Sequence, residues 1–566
     1  MIPPAPGLPE IADRTETPAR DRRGWKASAL IGLCCLLVYN ANLRPISAGD
    51  TYPARYLPFA IVGHQTFFLD PVATVAAQGR PREAYWMPKR ADGRLTSFYP
   101  VVVPALVSPL YIPAVIYLNA TGWGDARLDH LARVMEKLSA SLLAALSVSL
   151  VYLLLRRRST PRDALLLTIA YAFGTTTWMI SSQALWQHGM AQVLVTGALL
   201  LLSAPTTHRG TFAAGALLGL LASNRPPDVI LAVAIGFCGI LWGGARRIPL
   251  LIAGAAVPGL LVMRYNLEMA GSVAGGYGKV ALVNFFAHDM TAGVLGLLVS
   301  PTRGLLVFSP FLLFLLPTLW TRLRPHGERL ALLALGLAVV AQLGLYGRTD
   351  WRSGLSWGPR YLTDLLPILM WMLAPPPGTF RGVRKVGFLL ATALSIVIEA
   401  IGAFAYYASL DNPIYAPDRS AAAAGFDWRN APFVTSLKAG LAAPEITRPV
   451  RGAIDSLTTD GRVTDSIVAG QNLVATGWAL VGRATPSHVA VAIDGGEMIP
   501  VGKFTDRLDV RAALPGAGPA GWTIPINTTG LAPGEHSVAL HVWISERAYA
   551  WFLGSRTFTV RPAGEP

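Results

Sequence analysis

The sequence predicts a polytopic α-helical membrane protein of about 11 transmembrane helices followed by a C-terminal all-β extracytoplasmic domain. Three observations predict it. The 566 residues are 52% hydrophobic and only 14% charged, whereas soluble domains carry roughly a quarter of their residues as Asp, Glu, Lys and Arg. Apolar runs long enough to cross a bilayer recur between short arginine-rich loops. Near residue 450 the pattern changes to short alternating strands bounded by turn residues. The net charge of +15 would suggest nucleic acid in a soluble protein. Here the cations fall between apolar runs, where they fix topology, so no nucleic-acid partner is expected. The three cysteines, Cys34, Cys35 and Cys238, lie inside apolar runs and make neither a disulfide framework nor a metal cluster.

Residues 1–25 read as a cytoplasmic tail, because Arg14, Arg20, Arg22, Arg23 and Lys26 hold that side inside. The transmembrane domain is expected over 26–410. Its first span, 27–43, serves as its own anchor, with no cleavable signal peptide before it. Further spans are expected at 138–155, 164–180, 190–204, 211–223, 229–242, 248–263, 304–320, 331–346, 361–373 and 386–407. Arg156-Arg157-Arg158, Arg209, Arg246-Arg247, Arg322, Arg324, Arg329 and Arg381, Arg384, Lys385 mark the inner ends. The odd number of spans leaves the C-terminal side outside. Residues 44–131 form a large first outer loop with juxtamembrane helices. Its apolar run 101–118 is expected to be re-entrant, since Pro100, Pro104, Pro109 and Pro113 interrupt it and a full span would move the triple arginine outside. A true span is the alternative. Residues 411–449 read as a linker, and 450–566 as a β-sandwich of about the usual size for one such domain.

Chemistry concentrates at the outer face. Asp50 follows the first span directly, and an ionisable group at a membrane boundary is a functional candidate, weighed against a plain solvated loop acid. Arginines stand on the same side, against the topological trend: Arg55, Arg225 in Asn224-Arg225-Pro226-Pro227-Asp228, Arg303 in Ser300-Pro301-Thr302-Arg303-Gly304, and Arg360 in Ser356-Trp357-Gly358-Pro359-Arg360-Tyr361. A guanidinium suits phosphate through its planar pair of donors; the bland reading is headgroup snorkelling. The first outer loop is dense in aromatic and charged residues, such as Tyr85-Trp86-Met87-Pro88-Lys89-Arg90. That mixture suits sugar rings, and equally an interfacial aromatic belt. We assign Arg55, Tyr56, Trp86, Lys89, His188, Tyr277, Trp357 and Tyr361 as candidate substrate contacts. His188 is a candidate proton shuttle against the simpler role of a polar contact. Asp70 is expected to cap a helix.

The boundary Asp, the long aromatic first outer loop and the outer basic turns together resemble the GT-C superfamily of integral-membrane glycosyltransferases. Leu298 through Pro310 (Leu-Val-Ser-Pro-Thr-Arg-Gly-Leu-Leu-Val-Phe-Ser-Pro) and Trp357-Gly358-Pro359-Arg360-Tyr361-Leu362 are similar to stretches in its bacterial members. The resemblance covers about residues 27–407 and has loose motifs. It implies a polyprenyl-phosphate-linked sugar donor and transfer with inversion to a cell-envelope glycan or lipid acceptor. The place would be the outer face of a bacterial inner membrane, among membrane lipids. By position, Asp50 matches the family's catalytic acid, as general base, and Arg225, Arg303 and Arg360 would bind the donor phosphate. Two departures stand out: no second carboxylate lies beside Asp50 in sequence, and Gln187-His188 stands where metal-dependent members place an acid. No metal ligand set is therefore assigned and no obligatory cofactor is expected, with room left for a divalent cation such as Mg2+ or Mn2+.

Two other classes of function compete. A lipid or glycan transporter or flippase would show repeats and broken helices meeting at mid-membrane; the polar residues gather instead at one face. A non-catalytic envelope-glycan scaffold would place its binding in the β-domain and demand nothing of Asp50. In that domain Trp478, Trp522 and Trp543 could stack sugars, although strand tryptophans are more often core.

Overall fold

The computed structural model describes residues 18–77, 84–203, 207–278, 288–322, 328–374, 381–407, 421–442, 444, 449–543 and 550–562. Arg14, Arg324 and residues 411–420, for which a tail, a loop and a linker are expected, lie outside the described residues. So do residues 443 and 445–448.

Each of the eleven apolar runs falls on helical structure. The first helix, α1, spans Pro18–Asn40. It is followed by α2 (Tyr52–His64), α3 (Val102–Val107), α4 (Ile112–Thr121) and α5 (Asp125–Arg156). Then come α6 (Pro161–Phe173), α7 (Gln187–Leu202), α8 (His208–Asn224), α9 (Val229–Gly243) and α10 (Ile248–Ala270). Further along are α11 (Met290–Val299), α12 (Leu315–Arg322), α13 (Arg329–Gly347), α14 (Leu366–Leu373) and α15 (Gly382–Ala405), and shorter helices follow at Ala421–Phe426 and Pro432–Ala439 within the stretch expected to be a linker. Six helical stretches among the described residues are long and apolar enough to cross a membrane: Val102–Thr121, Asp125–Arg156, Pro226–Gly243, Ala245–Ala270, Arg329–Gly347 and Gly382–Ala405. Their outward faces carry Val233, Leu261, Leu337 and Leu390, which suits lipid rather than water. The chain is a multi-pass helical membrane protein with a C-terminal β-sheet domain.

Three details depart from expectation. Helix α5 starts at Asp125, thirteen positions before the apolar run at 138. Its first turns read as loop because they carry Asp129, Arg133, Glu136 and Lys137, yet all four are buried and bonded within the fold. An apolar helix, α11, precedes Ser300 where only a long outer segment was expected. Asp70 does not cap a helix; its carboxylate accepts from the Leu95 amide at 3.1 Å and ties two parts of the first outer loop together.

The 101–118 run is helical in pieces: α3, a 3-10 turn over Ser108–Tyr111, and α4, each break falling near a proline. It packs on α2 through Phe59 and Tyr111, whose rings meet edge to face at 5.0 Å. The 304–320 run is similarly broken into Leu305–Phe308, a 3-10 turn over Pro310–Phe314, and α12.

Among the described residues the β-domain holds nine strands: β1 (Val450–Thr459), β2 (Arg462–Val463), β3 (Ser466–Val468), β4 (Leu473–Val481), β5 (His488–Ile493), β6 (Met498–Pro500), β7 (Gly521–Ile526), β8 (Gly534–Trp543) and β9 (Ala550–Arg561). They form a four-stranded sheet ordered β2-β1-β4-β7 and a five-stranded sheet ordered β3-β9-β8-β5-β6. Every pairing is antiparallel except β3 with β9. The core between the sheets draws on Leu473, Ala475, Val491, Trp522, Leu540 and Phe558. The Asp494-Gly495 turn between β5 and β6 takes the left-handed conformation at both residues (φ 49° and 76°), the hairpin geometry that pair favours. The domain seats on the N-terminal end of α5, where the Arg133 guanidinium lies 4.1 Å from the Trp551 ring centre and His130 stacks on the same indole.

Candidate active site

Six stretches far apart in sequence build one cavity of about 310 Å³. Its walls are Asp50, Tyr85, Tyr99, Trp186, Gln187, His188, Arg225, Tyr277, Ser353, Gly354, Arg360 and Tyr361. Asp50 sits in a short 3-10 turn, Gly49–Thr51, that leads directly into α2. Gly49 is needed there, because a Cβ would come within 2.5 Å of the Tyr85 hydroxyl. His188 is the second residue of α7, and Asn224 at the end of α8 donates to the Gln187 carbonyl at 3.0 Å. Arg225 follows with extended backbone, releasing the chain from α8 before Pro226. Arg360 opens a 3-10 turn, Arg360–Leu365, that runs into α14.

Asp50 is the electrostatic centre. Its Oδ2 takes Arg360 Nη1 at 2.7 Å, and its Oδ1 accepts from the hydroxyls of Tyr85 at 2.9 Å and Tyr99 at 2.5 Å. Its side chain keeps 25% exposure while that of Arg360 keeps 8%. Burial pushes the Asp50 carboxyl up; Arg360 and the two phenols outweigh that and hold it below the usual carboxylate range. The phenols move the other way: burial first, then the adjacent carboxylate, raises both, so they remain protonated donors. Arg360 also lies 4.6 Å from the Trp186 ring centre and 5.1 Å from that of Tyr361. Such contacts stabilise a desolvated guanidinium by about 0.5–2 kcal/mol each.

A second charge cluster also borders the cavity. His188 Nδ1 lies 2.8 Å from Asp364 Oδ1, and Arg225 Nη1 bonds the other Asp364 oxygen. Arg225 lies 5.0 Å from the Tyr346 ring centre, and Tyr346 stacks on Tyr361 at 5.0 Å and 7°. A carboxylate that orients a histidine and an arginine therefore stands directly behind the cavity wall. Sequence reasoning passed over Asp364 because it lies in an apolar run; its spacing of four residues from Arg360 was the available signal. Tyr85, Tyr99, Trp186 and Gln187 also join the wall, and they were visible only as parts of aromatic loops.

Of the residues assigned from sequence, Asp50, Arg225, Arg360, His188, Tyr277 and Tyr361 line the cavity. The others do not. Arg303 is buried behind it, donating to the Gly354 carbonyl at 3.1 Å and so bracing the wall rather than facing it. Arg55 is buried in an ion pair with Glu136 at 2.7 Å, and the Tyr56 hydroxyl bonds Asp129. Trp86 donates to the Ala76 carbonyl at 2.9 Å and packs edge-on to Tyr52 and Tyr85. Lys89 belongs to a small bridge with Leu95 in the first outer loop. Trp357 is buried against Phe308 and Tyr406. Aromatic and basic residues near a membrane surface pattern alike whether they face a cavity or the loop core, so composition did not separate them.

An apolar groove of about 190 Å³ lies along the same segment that carries Arg360; Leu298, Leu306, Leu313, Val339, Leu362 and Leu369 are among its walls. A wider cleft of about 910 Å³ separates the corner between α4 and α5 from the β-domain. Trp478 faces that cleft, half-buried, whereas Trp522 is core and Trp543 rests against His488.

These features define a polytopic membrane protein with a charged, aromatic-walled cavity built from the loops at the ends of its helices. No protein-family model matches the chain, and no curated protein does. Among solved structures it is similar to ArnT from Cupriavidus metallidurans bound to undecaprenyl phosphate. That likeness covers 73% of this chain and 76% of ArnT at 13% identity, with a TM-score of 0.38. For ArnT in the apo state the shares are 74% and 77%, at 14% identity and a TM-score of 0.35. A likeness that loose assigns neither activity nor substrate.

Proposed function

We propose that this protein is an inverting membrane glycosyltransferase. It moves a sugar from a polyprenyl-phosphate donor to a hydroxyl of a cell-envelope glycan or lipid, at the outer face of the bacterial inner membrane. The observation that carries the reading is the pairing of Asp50 with Arg360 across a cavity that Arg225, His188 and aromatic rings complete. The apolar groove beside the Arg360–Leu365 turn suits an isoprenoid chain, so one segment offers a cation to the phosphate and leucines to the lipid.

On this reading the donor phosphate competes with Asp50 for Arg360. As the guanidinium turns to the phosphate, the Asp50 carboxylate loses its strongest stabilising partner and becomes a better base. The acceptor oxygen attacks the anomeric carbon and the bond to the phosphate oxygen breaks. Asp50 takes the acceptor proton, and Arg225 and Arg360 stabilise the charge gathering on the leaving phosphate. Trp186, Tyr277 and Tyr361 offer faces for the sugar ring.

The test uses the full chain in lipid nanodiscs with labelled polyprenyl-phosphate sugars extracted from the host. Label passing to envelope acceptors in the wild type, and undecaprenyl phosphate protecting Arg360 from guanidine-directed modification, support the proposal. Protection confined to residues outside this cavity overturns it.

A further inference from the structure

Two chain segments contribute to the cavity wall: 46–55, which carries Asp50, and 182–188, which carries Trp186 and His188. Both are fastened to the same two turns of α5. Glu136 Oε2 accepts from Ser47 Oγ and Arg55 Nε, each at 2.7 Å, so the residues flanking Asp50 on both sides end on one carboxylate oxygen. Glu136 Oε1 accepts from the Leu185 amide at 3.4 Å, one residue before Trp186. One position along, Lys137 Nζ donates to Gln183 Oε1 at 2.5 Å, and Asn42 donates to the same oxygen at 2.7 Å. Ser141 Oγ bonds the Ser182 carbonyl at 3.0 Å, and the Ile46 amide bonds the Gln183 carbonyl at 3.0 Å.

None of Glu136, Lys137, Ser141 or Arg55 lines the cavity, and all are buried. Burying an ion pair such as Arg55–Glu136 is a poor source of stability, because desolvation cancels most of the attraction and apolar replacements of similar volume often do as well. What such a pair does supply is a directional fix. We infer that Glu136 is a positioning residue: with Arg55 and Ser47 it sets the separation between the Asp50 turn and the Trp186–His188 wall. This rests on the transfer reading above. It also gives Arg55 a task that its place behind the wall leaves open.

The experiment compares Glu136→Gln and the apolar triple variant Ser47→Ala, Arg55→Met, Glu136→Leu with the wild type. All are full-length chains in membrane vesicles of the native host carrying its own radiolabelled polyprenyl-phosphate sugars. Melting temperature, affinity for undecaprenyl phosphate, single-turnover transfer and its pH profile are read together. The inference expects the triple variant to melt and to bind undecaprenyl phosphate as the wild type does, with transfer slowed at least roughly tenfold, since small misplacements at a reacting centre are costly. Glu136→Gln, which leaves the buried Arg55 without its charge partner, should slow transfer likewise and also melt lower. The inference also expects the acid limb of the profile at subsaturating donor, which reports the free enzyme, to move up, because a displaced Asp50 loses part of its contact with Arg360. Variants that transfer at the wild-type rate overturn it. So does a fall in rate that matches the loss of folded protein, with an unmoved pH profile. A wild type that leaves its label in the carrier overturns the transfer reading and the inference together, which distinguishes the two failures.

Discussion

At the residue scale the chemistry turns on the ionisation of Asp50. Its carboxyl is depressed in the fold, so it is charged through the neutral range, and activity is expected to fail only as pH drops below the ordinary carboxylate range. Removing Arg360 reverses the balance: burial then acts against two phenol hydrogen bonds alone. Arg360→Met should shift the acid limb of the transfer profile upward, as a pH titration of initial rates will show. Asp50→Asn keeps the volume and loses the basic oxygen. It should fold and insert normally while transfer falls by roughly 10²–10⁴-fold, the usual contribution of a general base. Unchanged transfer in that variant removes Asp50 from the mechanism. The arginines show where reading residues one at a time succeeds and where it stops. Arg225 and Arg360 face the cavity while Arg303 sits behind Gly354, and nothing in their local sequences distinguishes them.

At the scale of elements, the stretch 350–365 shapes the cavity rim. Gly354 holds φ at +85°, and a Cβ there would lie 2.6 Å from Arg360 Nη2. Gly354→Ala should therefore displace the guanidinium that pairs with Asp50. Its expected signature is weaker binding of undecaprenyl phosphate together with slower transfer, checked by titration and single-turnover kinetics. The neighbouring Gly358, at φ +51°, packs against Phe308 and permits the sharp entry into the Arg360–Leu365 turn. The apolar runs located the helices but not always their ends: α1 begins at Pro18 rather than 27, α6 ends at Phe173 rather than 180, and α10 runs on to Ala270 past 263. Helix α5 is the instructive case: Asp129, Arg133, Glu136 and Lys137 look solvated in sequence and are buried because their partners come from α2, the 182–188 wall and one another.

For the whole molecule, the helical and β-sheet parts meet at the N-terminal end of α5. Trp551 is buried in the β-domain core and takes Arg133 and His130 against its ring. Trp551→Ala should cost about 3–5 kcal/mol of β-domain stability, measured as a lowered unfolding midpoint for that domain while helical content is retained. The apolar groove beside Arg360 makes a separate prediction about the donor. Shortening the isoprenoid chain should raise KM and leave kcat nearly unchanged, because buried methylenes bind ground and transition states alike. Equal KM for short and long carriers would remove the groove from donor binding.

The sequence by itself determined that this chain crosses a membrane many times, that a β-domain follows, and that Asp50 with Arg225, Arg303 and Arg360 deserved testing as a set. Those conclusions rest on properties written locally: hydropathy over one span, charge at its ends, and a period of two along a strand. The tertiary structure alone decided which polar groups share a cavity. Asp50 and Arg360 meet only because helices between them return the chain to one surface. Asp364 and Glu136 acquire meaning only through partners from other segments. Hydrogen bonds and ion pairs act over a few ångströms in space, and sequence separation carries no information about that distance.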